Sequence, residues 1–369
     1  MVNIKRFDQR LESLPANILT LIASIDELKG RWTAGANLHP QILGRLKQSV
    51  LITSTGASTR IEGAKLSDSD VENLMKGISM QKFKDRDTQE VKGYYELLKN
   101  VFDSWQSIKL NEGTIKHFHQ EILKYVEKDS FHRGQYKVTE NKVQMVDAKG
   151  NIVGTIFDTT PVYLTPIEMQ ELVEWTIKAI KEQKYHPLLI AANFVVEFLK
   201  IHPFRDGNGR LSRILTNLLM LQAGYLYMPY ISHEKLVEEK KQEYYVALRK
   251  TQITLRFPFD RTQGKHSGQA FKSEKADIMP WLTFFLNIIF DQSKQAVDLL
   301  TADNVEKTLS GKQLAVLEYL QAVKEATPGE ITKKTKVARP TVNQVLDKLL
   351  NLKKIERIGM GRSTRYRIL

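Results

Sequence analysis

The chemistry of this chain is concentrated in twelve consecutive residues, His202-Pro203-Phe204-Arg205-Asp206-Gly207-Asn208-Gly209-Arg210-Leu211-Ser212-Arg213. Apolar segments flank the run, Leu188 to Ile201 before it and Leu211 to Ala223 after it, so it reads as a loop between two helices. Gly207 and Gly209 let successive backbone N–H groups turn toward an anion, and the N-terminus of the next helix adds donors of its own. Arg210 and Arg213 lie three residues apart and project from one face of that helix. With Asp206 able to hold Mg²⁺, these groups describe a polyphosphate site. His202, at its edge, is placed to take a proton from an incoming hydroxyl.

The elements around this loop are mostly helical. Residues 7–33 predict one helix, with Leu11, Leu14, Ile18, Leu21, Ile22, Ile25 and Leu28 at apolar spacing. A helix through Leu43, Leu46, Val50 and Ile52 follows Pro40. The small, polar run Thr53 to Gly63 comes next, then a helix capped near Ser67 or Asp68. Residues 88–109 and 113–127 keep the helical period. From Lys137 to Tyr163 the chain alternates instead, with Val143, Met145, Val153 and Ile156 around Asp147-Ala148-Lys149-Gly150-Asn151, a β-hairpin with a Gly/Asn turn. Helices resume at 166–183, 187–201, 210–223 and 233–252, with Gly224 as a stop. Residues 257–277, rich in Gly, Lys, Ser and Gln, read as a mobile loop, and a helix spans about 278–300. The polar segment Leu300 to Leu309 is the best domain boundary.

The last sixty residues have their own logic. Helices are expected at Lys312 to Val323, Pro328 to Thr335 and Arg339 to Leu352, the third with Pro340 where its missing N–H costs little. Two short strands, Lys354 to Ile358 and Thr364 to Ile368, close on Gly359-Met360-Gly361. Three helices and a β-wing resemble a winged helix-turn-helix domain. Residues 301–369 hold 14 Lys and Arg against 7 Asp and Glu, so they carry +7 of the net charge of +13. Arg362, Arg365 and Arg367 lie on the wing, and Lys333, Lys334 and Lys336 precede the third helix. Thr341, Asn343 and Gln344 near its start are placed to reach base edges in DNA. A winged module used for packing, dimerisation or protein contact fits the same pattern.

Bulk properties narrow the class. The chain has 369 residues, 42% hydrophobic and 26% charged, values of a soluble globular protein with two or three domains. No segment approaches the roughly 20 continuous apolar residues of a membrane span. Met1-Val2-Asn3-Ile4-Lys5-Arg6 leads into a polar stretch without a signal-peptide core. There is no cysteine, which excludes disulfides and thiolate metal sites and fits a reducing, cytoplasmic setting. The positive charge points to an anionic partner without choosing among nucleotide, nucleic acid and acidic protein.

The run His202 to Arg213 resembles the signature of the Fic (Fic/Doc) family, HPFx(D/E)GNGRxxR, at every defined position. The resemblance covers about residues 40–300. It implies a mainly α fold: a Fic-type helical core with a β-hairpin flap, plus the small C-terminal winged-helix domain. The domains are then 1–105, a helical region with an inhibitory motif; 106–300, the catalytic core; and 301–369, the winged helix. By position, the family assigns His202 as general base toward a Ser, Thr or Tyr hydroxyl and Asp206 as the Mg²⁺ ligand. The amides around Gly207 and Gly209, with the Asn208 side chain, hold the α- and β-phosphates of ATP, and Arg210 and Arg213 anchor the outer phosphates. Tyr244, beside Tyr245, lies near the adenine in this reading, and Gln252 supplies a polar contact to it. Ser58-Thr59-Arg60-Ile61-Glu62-Gly63 resembles the family's inhibitory motif, (S/T)xxxE(G/N): Ser58 caps a short helix, Gly63 ends it, and Glu62 reaches Arg213. The hairpin at about 142–157 stands where the family docks its target by strand addition.

The resemblance therefore implies a protein adenylyltransferase that moves AMP from ATP to a hydroxyl of a target protein or of itself, autoinhibited by Glu62. Such proteins often form homodimers, and no membrane partner is expected. Two alternatives stay open. Glu62 in the same frame also allows hydrolytic removal of AMP, and the basic C-terminus allows a DNA-binding regulator whose Fic module senses nucleotide.

Overall fold

The computed structural model describes residues 5–35, 40–76, 86–146, 152–255, 276–300, 311–351, 354–359 and 364–368. The chain divides into two compact units, Met1–Ala34 with Leu43–Lys294, and Gly35–Ile42 with Gln295–Leu369. The helices of the first part of the chain are α1 (Lys5–Gln9), α2 (Ala16–Gly35), α3 (Pro40–Ile61), α4 (Asp68–Met75), α5 (Arg86–Ser104), α6 (Glu112–Ile122), α7 (Thr165–Glu182), α8 (Pro187–Ile201), α9 (Asn208–Gln222), α10 (His233–Glu239), α11 (Lys241–Leu255) and α12 (Met279–Asp298). Strands β1 (Lys142–Val146) and β2 (Ile152–Asp158) pair antiparallel between α6 and α7, Val143 opposite Phe157, with two register irregularities. The expected turn at 147–151 and nearly all of the expected loop at 257–277 lie outside the described residues.

Helix α8 is the centre of this unit. Its run Leu188 to Leu199 is buried on every side, as a mostly apolar helix must be, and the two polar residues inside it, Asn193 and Glu197, are met by Arg10. Pro187 opens it at a position where no N–H is needed, and the His186 ring caps it by accepting from the Leu188 N–H. Helix α9 is buried from Leu211 to Leu221 and returns beside it. The functional loop is the turn between these two best-packed helices, so its backbone is held at both ends.

Three expectations change. The helix expected at 7–33 is two, because Pro15 lacks an N–H and forces the residue before it out of helical geometry; α2 restarts just after it. The helix expected at 233–252 breaks at Lys240, whose N–H closes on the carbonyls of Leu236 and Glu238. The run Thr53 to Ile61 is no separate cap and short helix: α3 is continuous through it. Ser58 is therefore not an N-cap. Thr55 and Thr59 donate their hydroxyls back to the carbonyls of Leu51 and Thr55, which satisfies small polar side chains inside a helix and lets α3 bury them. Gly63 does end the helix, at φ +102°.

The second unit contains α13 (Gly311–Val323), β3 (Glu325–Ala326), α14 (Pro328–Thr335), α15 (Arg339–Asn351), β4 (Ile355–Ile358) and β5 (Arg365–Ile368). The sheet order is β3-β5-β4, all antiparallel. The two-residue strand β3 is too short to show in the sequence pattern. Val316, Leu320, Ile331, Val342, Val345, Leu346, Leu349 and Ile355 form its core, and Thr327 with Glu330 makes a capping box at the start of α14. Three helices and a wing pack as a winged-helix fold. Arg362 lies outside the described residues.

Candidate functional site

Helix α8 stops because His202 turns left-handed, at φ 52°, and closes on the Phe198 carbonyl with its own N–H. Its Nδ1 faces the Leu199 carbonyl at 3.3 Å, which fixes that nitrogen as the protonated one and leaves Nε2 as the basic one. Burial lowers the His202 pKa to about 4, so the ring is neutral near pH 7. Phe204 is fully buried, and Asn208 braces the turn: its Oδ1 accepts from the Phe204 N–H and its Nδ2 donates to the Phe204 carbonyl. The Asn208 side chain is thus engaged within the loop.

Gly207, at φ 77°, is the N-cap of α9, a conformation in which a Cβ would be unfavourable. Its N–H donates to Asp206 Oδ1 at 2.6 Å. The first N–H groups of α9, at Asn208, Gly209 and Arg210, have no partner within the helix and make an anion site. Asp206 is partly exposed, and Glu90 and Asp129 place one carboxylate oxygen each within 4.8 Å of it and of each other. Arg210 is buried and paired with Glu90 and Asp206, which hold its charge in place against the cost of burial.

Arg213 is 3% exposed. Its Nε donates to Ser58 Oγ at 2.8 Å, and its Nη2 to the Ser58 carbonyl at 2.9 Å and Glu62 Oε1 at 2.7 Å. Burial opposes the Arg213 charge, and Glu62, with Tyr244 and Tyr94 beside it, more than offsets this, raising its pKa. The Glu62 carboxylate also lies over Gly209: a Cβ there would come within 3.0 Å of Glu62 Cδ. An acidic group therefore already sits at the N-terminus of α9, where an anion belongs.

Tyr244 is buried beside Arg213, in a small cavity also lined by Val195, Ser212, His233 and Trp281. Burial raises its pKa to about 12. The Tyr245 hydroxyl donates to the Ile61 carbonyl at 3.3 Å, capping the end of α3. Gln252 is 1% exposed and donates to the Val196 carbonyl at 3.3 Å; among the described residues no hydrogen bond joins it to the loop.

Several residues that position the loop escape the sequence pattern. His119 stacks on Phe204 with ring centroids 3.9 Å apart, faces the Asp206 carbonyl with Nε2 at 3.0 Å, and accepts the Gly134 N–H at Nδ1. Burial lowers its pKa to about 4, consistent with that acceptor. The available signal was a polar residue on the apolar stripe of α6, between Ile115, Phe118 and Ile122. Tyr94 and Asn217 both donate to Glu234, and Asn217 also donates to the Arg213 carbonyl, forming a buried polar network under Arg213. Lys137 and Asn141 hold the other side of the loop.

The Fic/DOC family model matches residues 109–220 and the MarR family model residues 307–359. The protein adenylyltransferase fic-1 of Caenorhabditis elegans is 32% identical over 115 residues, 31% of this chain and 21% of the relative. A probable protein adenylyltransferase of Aquifex aeolicus is 32% identical over 97 residues, 25% of this chain and 28% of the relative. The chain thus matches about a fifth to a quarter of the length of these curated relatives. Among solved structures, a Fic family protein from Desulfovibrio desulfuricans covers 97% of both chains with a TM-score of 0.61 at 23% identity. Caenorhabditis elegans Fic-1 covers 77% of this chain and 73% of its own with a TM-score of 0.59 at 18% identity, so these two show likeness of fold. Residues 109–220 form a Fic/DOC-family domain, and a winged-helix domain with a MarR family match lies C-terminal to it.

Proposed function

We propose that this chain transfers AMP from ATP to a Ser, Thr or Tyr hydroxyl of a target protein or of itself, and that Glu62 holds the site inhibited. The observation that carries the reading is the placement of the Glu62 carboxylate over Gly209 and against Arg213, in a loop that also presents a neutral His202. The relatives named protein adenylyltransferase support the same chemistry.

In this reading the Nε2 of His202 takes the hydroxyl proton, and the hydroxyl oxygen attacks the α-phosphorus of ATP. The bond from that phosphorus to its bridging oxygen breaks, and pyrophosphate leaves. The N–H groups at the start of α9 face the charge that develops on the phosphates. Asp206, with Glu90 and Asp129 beside it, offers the oxygen donor set that Mg²⁺ takes, and the bound ion would neutralise charge on the departing pyrophosphate. Arg213 is the anchor for the outer phosphates once Glu62 leaves it. Tyr244, next to Arg213, stands close enough to line the nucleotide site.

The test is AMP transfer from radiolabelled ATP with Mg²⁺, read with intact mass, for the wild type, Glu62→Gly and His202→Ala, alone and with cell lysate. The reading expects Glu62→Gly to label more than wild type and His202→Ala to label at least about 100-fold less. It fails if no variant labels anything. A second reading, DNA binding by the C-terminal unit, rests on the MarR family match at 307–359 and on Asn343 and Gln344, exposed on α15.

A further inference from the structure

We propose that Lys137 is a positioning residue that fastens both ends of the β1–β2 hairpin to the loop bearing His202. The proposal rests on the transfer reading of the site and assigns the hairpin's register to one buried ammonium.

Lys137 is 4% exposed and precedes the hairpin. Its Nζ donates to Asn141 Oδ1 at 2.9 Å, Thr159 Oγ1 at 2.9 Å and the Ile201 carbonyl at 3.1 Å. Asn141 is the residue before β1 and Thr159 the residue after β2, so one ammonium joins the two feet of the hairpin. Thr159 Oγ1 in turn donates to the Asn141 carbonyl at 2.8 Å. The third tie reaches the last residue of α8, next to His202.

The same two residues capture the loop backbone. The Lys137 N–H donates to the Pro203 carbonyl at 2.8 Å. Asn141 Nδ2 donates to the Phe204 carbonyl at 2.9 Å and reaches the His202 carbonyl at 3.4 Å. The carbonyls of Ile201, His202 and Pro203 are thereby taken by Lys137 and Asn141, and Asn141 shares that of Phe204 with Asn208. Leaving a helix, these carbonyls have no helical partner and need one where they are buried. His202 holds a left-handed backbone that a non-glycine residue keeps only when its surroundings fix it. Lys137 and Asn141 are part of that fixing, and they make hairpin and base one rigid body. A target segment aligned on the hairpin is then aligned to His202 as well.

The arrangement also predicts a pH response. An ammonium has three N–H donors and all three are used here; the neutral amine has two. Burial lowers the Lys137 pKa to about 8, against the opposing pull of Glu140 from its own segment and Glu168 from α7. His202 faces it from the loop and is neutral in this range. Below pH 8 all three ties are present, and as pH rises through that value one is lost.

The test uses the full chain in the Glu62→Gly background, comparing the parent with Lys137→Met and Thr159→Val. Thr159→Val keeps the ammonium and removes one acceptor, so it serves if Lys137→Met does not fold. Hydrogen exchange at pH 7 is read for the amides of residues 142–146 and 152–158, ATP binding by thermal shift, and self-labelling from ATP between pH 6.5 and 9.5. The proposal expects Lys137→Met to speed exchange in the hairpin by about tenfold or more. Transfer should drop by about 10- to 100-fold, the scale of a misplaced reacting group, with ATP binding unchanged. The parent should lose transfer above about pH 8, and Lys137→Met should show no such limb. Thr159→Val should act in the same direction and less. Unchanged hairpin exchange in both variants overturns the proposal. Loss of ATP binding in parallel with transfer overturns it too, because Lys137 would then support the whole loop rather than the hairpin's register. If the parent labels nothing, the transfer reading fails, and the exchange measurement still decides for or against the clamp.

Discussion

Glu62 and Arg213 lie 151 positions apart in sequence and meet at 2.7 Å, but they are not equal partners. The Arg213 side chain is 3% exposed and is fixed by Ser58 as well, whereas the Glu62 side chain is 38% exposed at the tip of α3. Glu62 is therefore the member that can leave. When it does, a buried cation and the N-terminus of α9 are left without their acid, which is the setting that draws in a phosphate. Glu62→Gly is expected to raise AMP transfer by about 10- to 100-fold, the equivalent of the ~1.5–3 kcal/mol of one charge-assisted hydrogen bond. Glu62→Gln, which keeps the shape and loses the charge, should fall between. Initial rates of labelling at saturating ATP check this, and equal rates for all three proteins would count against inhibition by Glu62.

The end of α3 is also held by Arg60, beyond the Tyr245 hydroxyl on the Ile61 carbonyl. Arg60 Nε and Nη2 lie 2.6 and 3.1 Å from the two Glu238 oxygens, Nη1 lies 2.9 Å from Asp68, and the same nitrogen donates to the Leu66 carbonyl. Gly56 makes room for this, since a Cβ there would lie 2.6 Å from both Arg60 Nη1 and Asp68 Oδ1. Arg60→Ala should loosen the end of the helix and raise transfer in the wild-type background, by less than Glu62→Gly does. In the Glu62→Gly background it should add nothing, because there is no inhibitory carboxylate left to position. A double-mutant cycle on transfer rates reads this directly. If Arg60→Ala lowers the rate equally in both backgrounds, its role is general stability.

His202 predicts the shape of the pH profile. An unperturbed imidazole would lose its base form as pH falls through about 6.5, but burial moves that loss toward about 4. Transfer should stay level from pH 7.5 to 6 and decline only in more acid solution. His202→Ala should cost about 10²–10⁴ in rate, as loss of a general base does. Stability follows the same sign. His202 and His233 are both held neutral by burial, so the unfolded chain binds protons that the folded one does not as pH drops below 6.5. Their contribution is full above that value and is lost toward acid, at up to about 1.4 kcal/mol per pH unit for each. Urea unfolding of the wild type and His202→Ala at pH 7.5 and 5.5 tests this: the variant should lose less on acidification, and identical losses would refute it.

The loop from His202 to Arg213 was legible in the sequence because its chemistry is local: twelve adjacent residues supply base, acid, glycines and cations, and two apolar helices bracket them. The boundaries of α8 were equally plain, since a mostly apolar run opens at Pro187 and ends at a polar loop. What the pattern hid depends on tertiary partners. Ser58 looks like a cap because small polar residues favour helix ends, yet Arg213 and the return bonds of Thr55 and Thr59 make it an interior residue of α3. Lys137 enters the sequence only as the start of an alternating segment, and its role depends on the feet of the hairpin and the Ile201 carbonyl that close around it. Lys240 breaks a helical pattern with no glycine or proline to announce it.

The C-terminal unit carries a separate prediction. Its sequence excess of basic residues is +7, but the wing arginines are not all available. Arg365 lies 2.7 Å from Glu325, and Arg367 lies 2.9 Å from Glu325 and 3.4 Å from Glu356. Asn343 and Gln344 on α15, by contrast, are exposed, and Lys333 and Lys334 close the last turn of α14. If the unit binds DNA, α15 is its reading element and the lysines supply phosphate contacts. Fluorescence anisotropy of the full chain with a random-sequence duplex should then show binding at low salt that weakens steeply between about 50 and 200 mM, because each neutralised phosphate releases counterions. Replacing Lys333 and Lys334 together by Gln should reduce the salt slope by about 2 and weaken every sequence alike. Asn343→Ala should leave that slope unchanged and alter only the preference among sequences. Absence of binding at low salt would leave the winged helix to protein contact, and a slope unmoved by the double lysine substitution would place the phosphate contacts elsewhere on the chain.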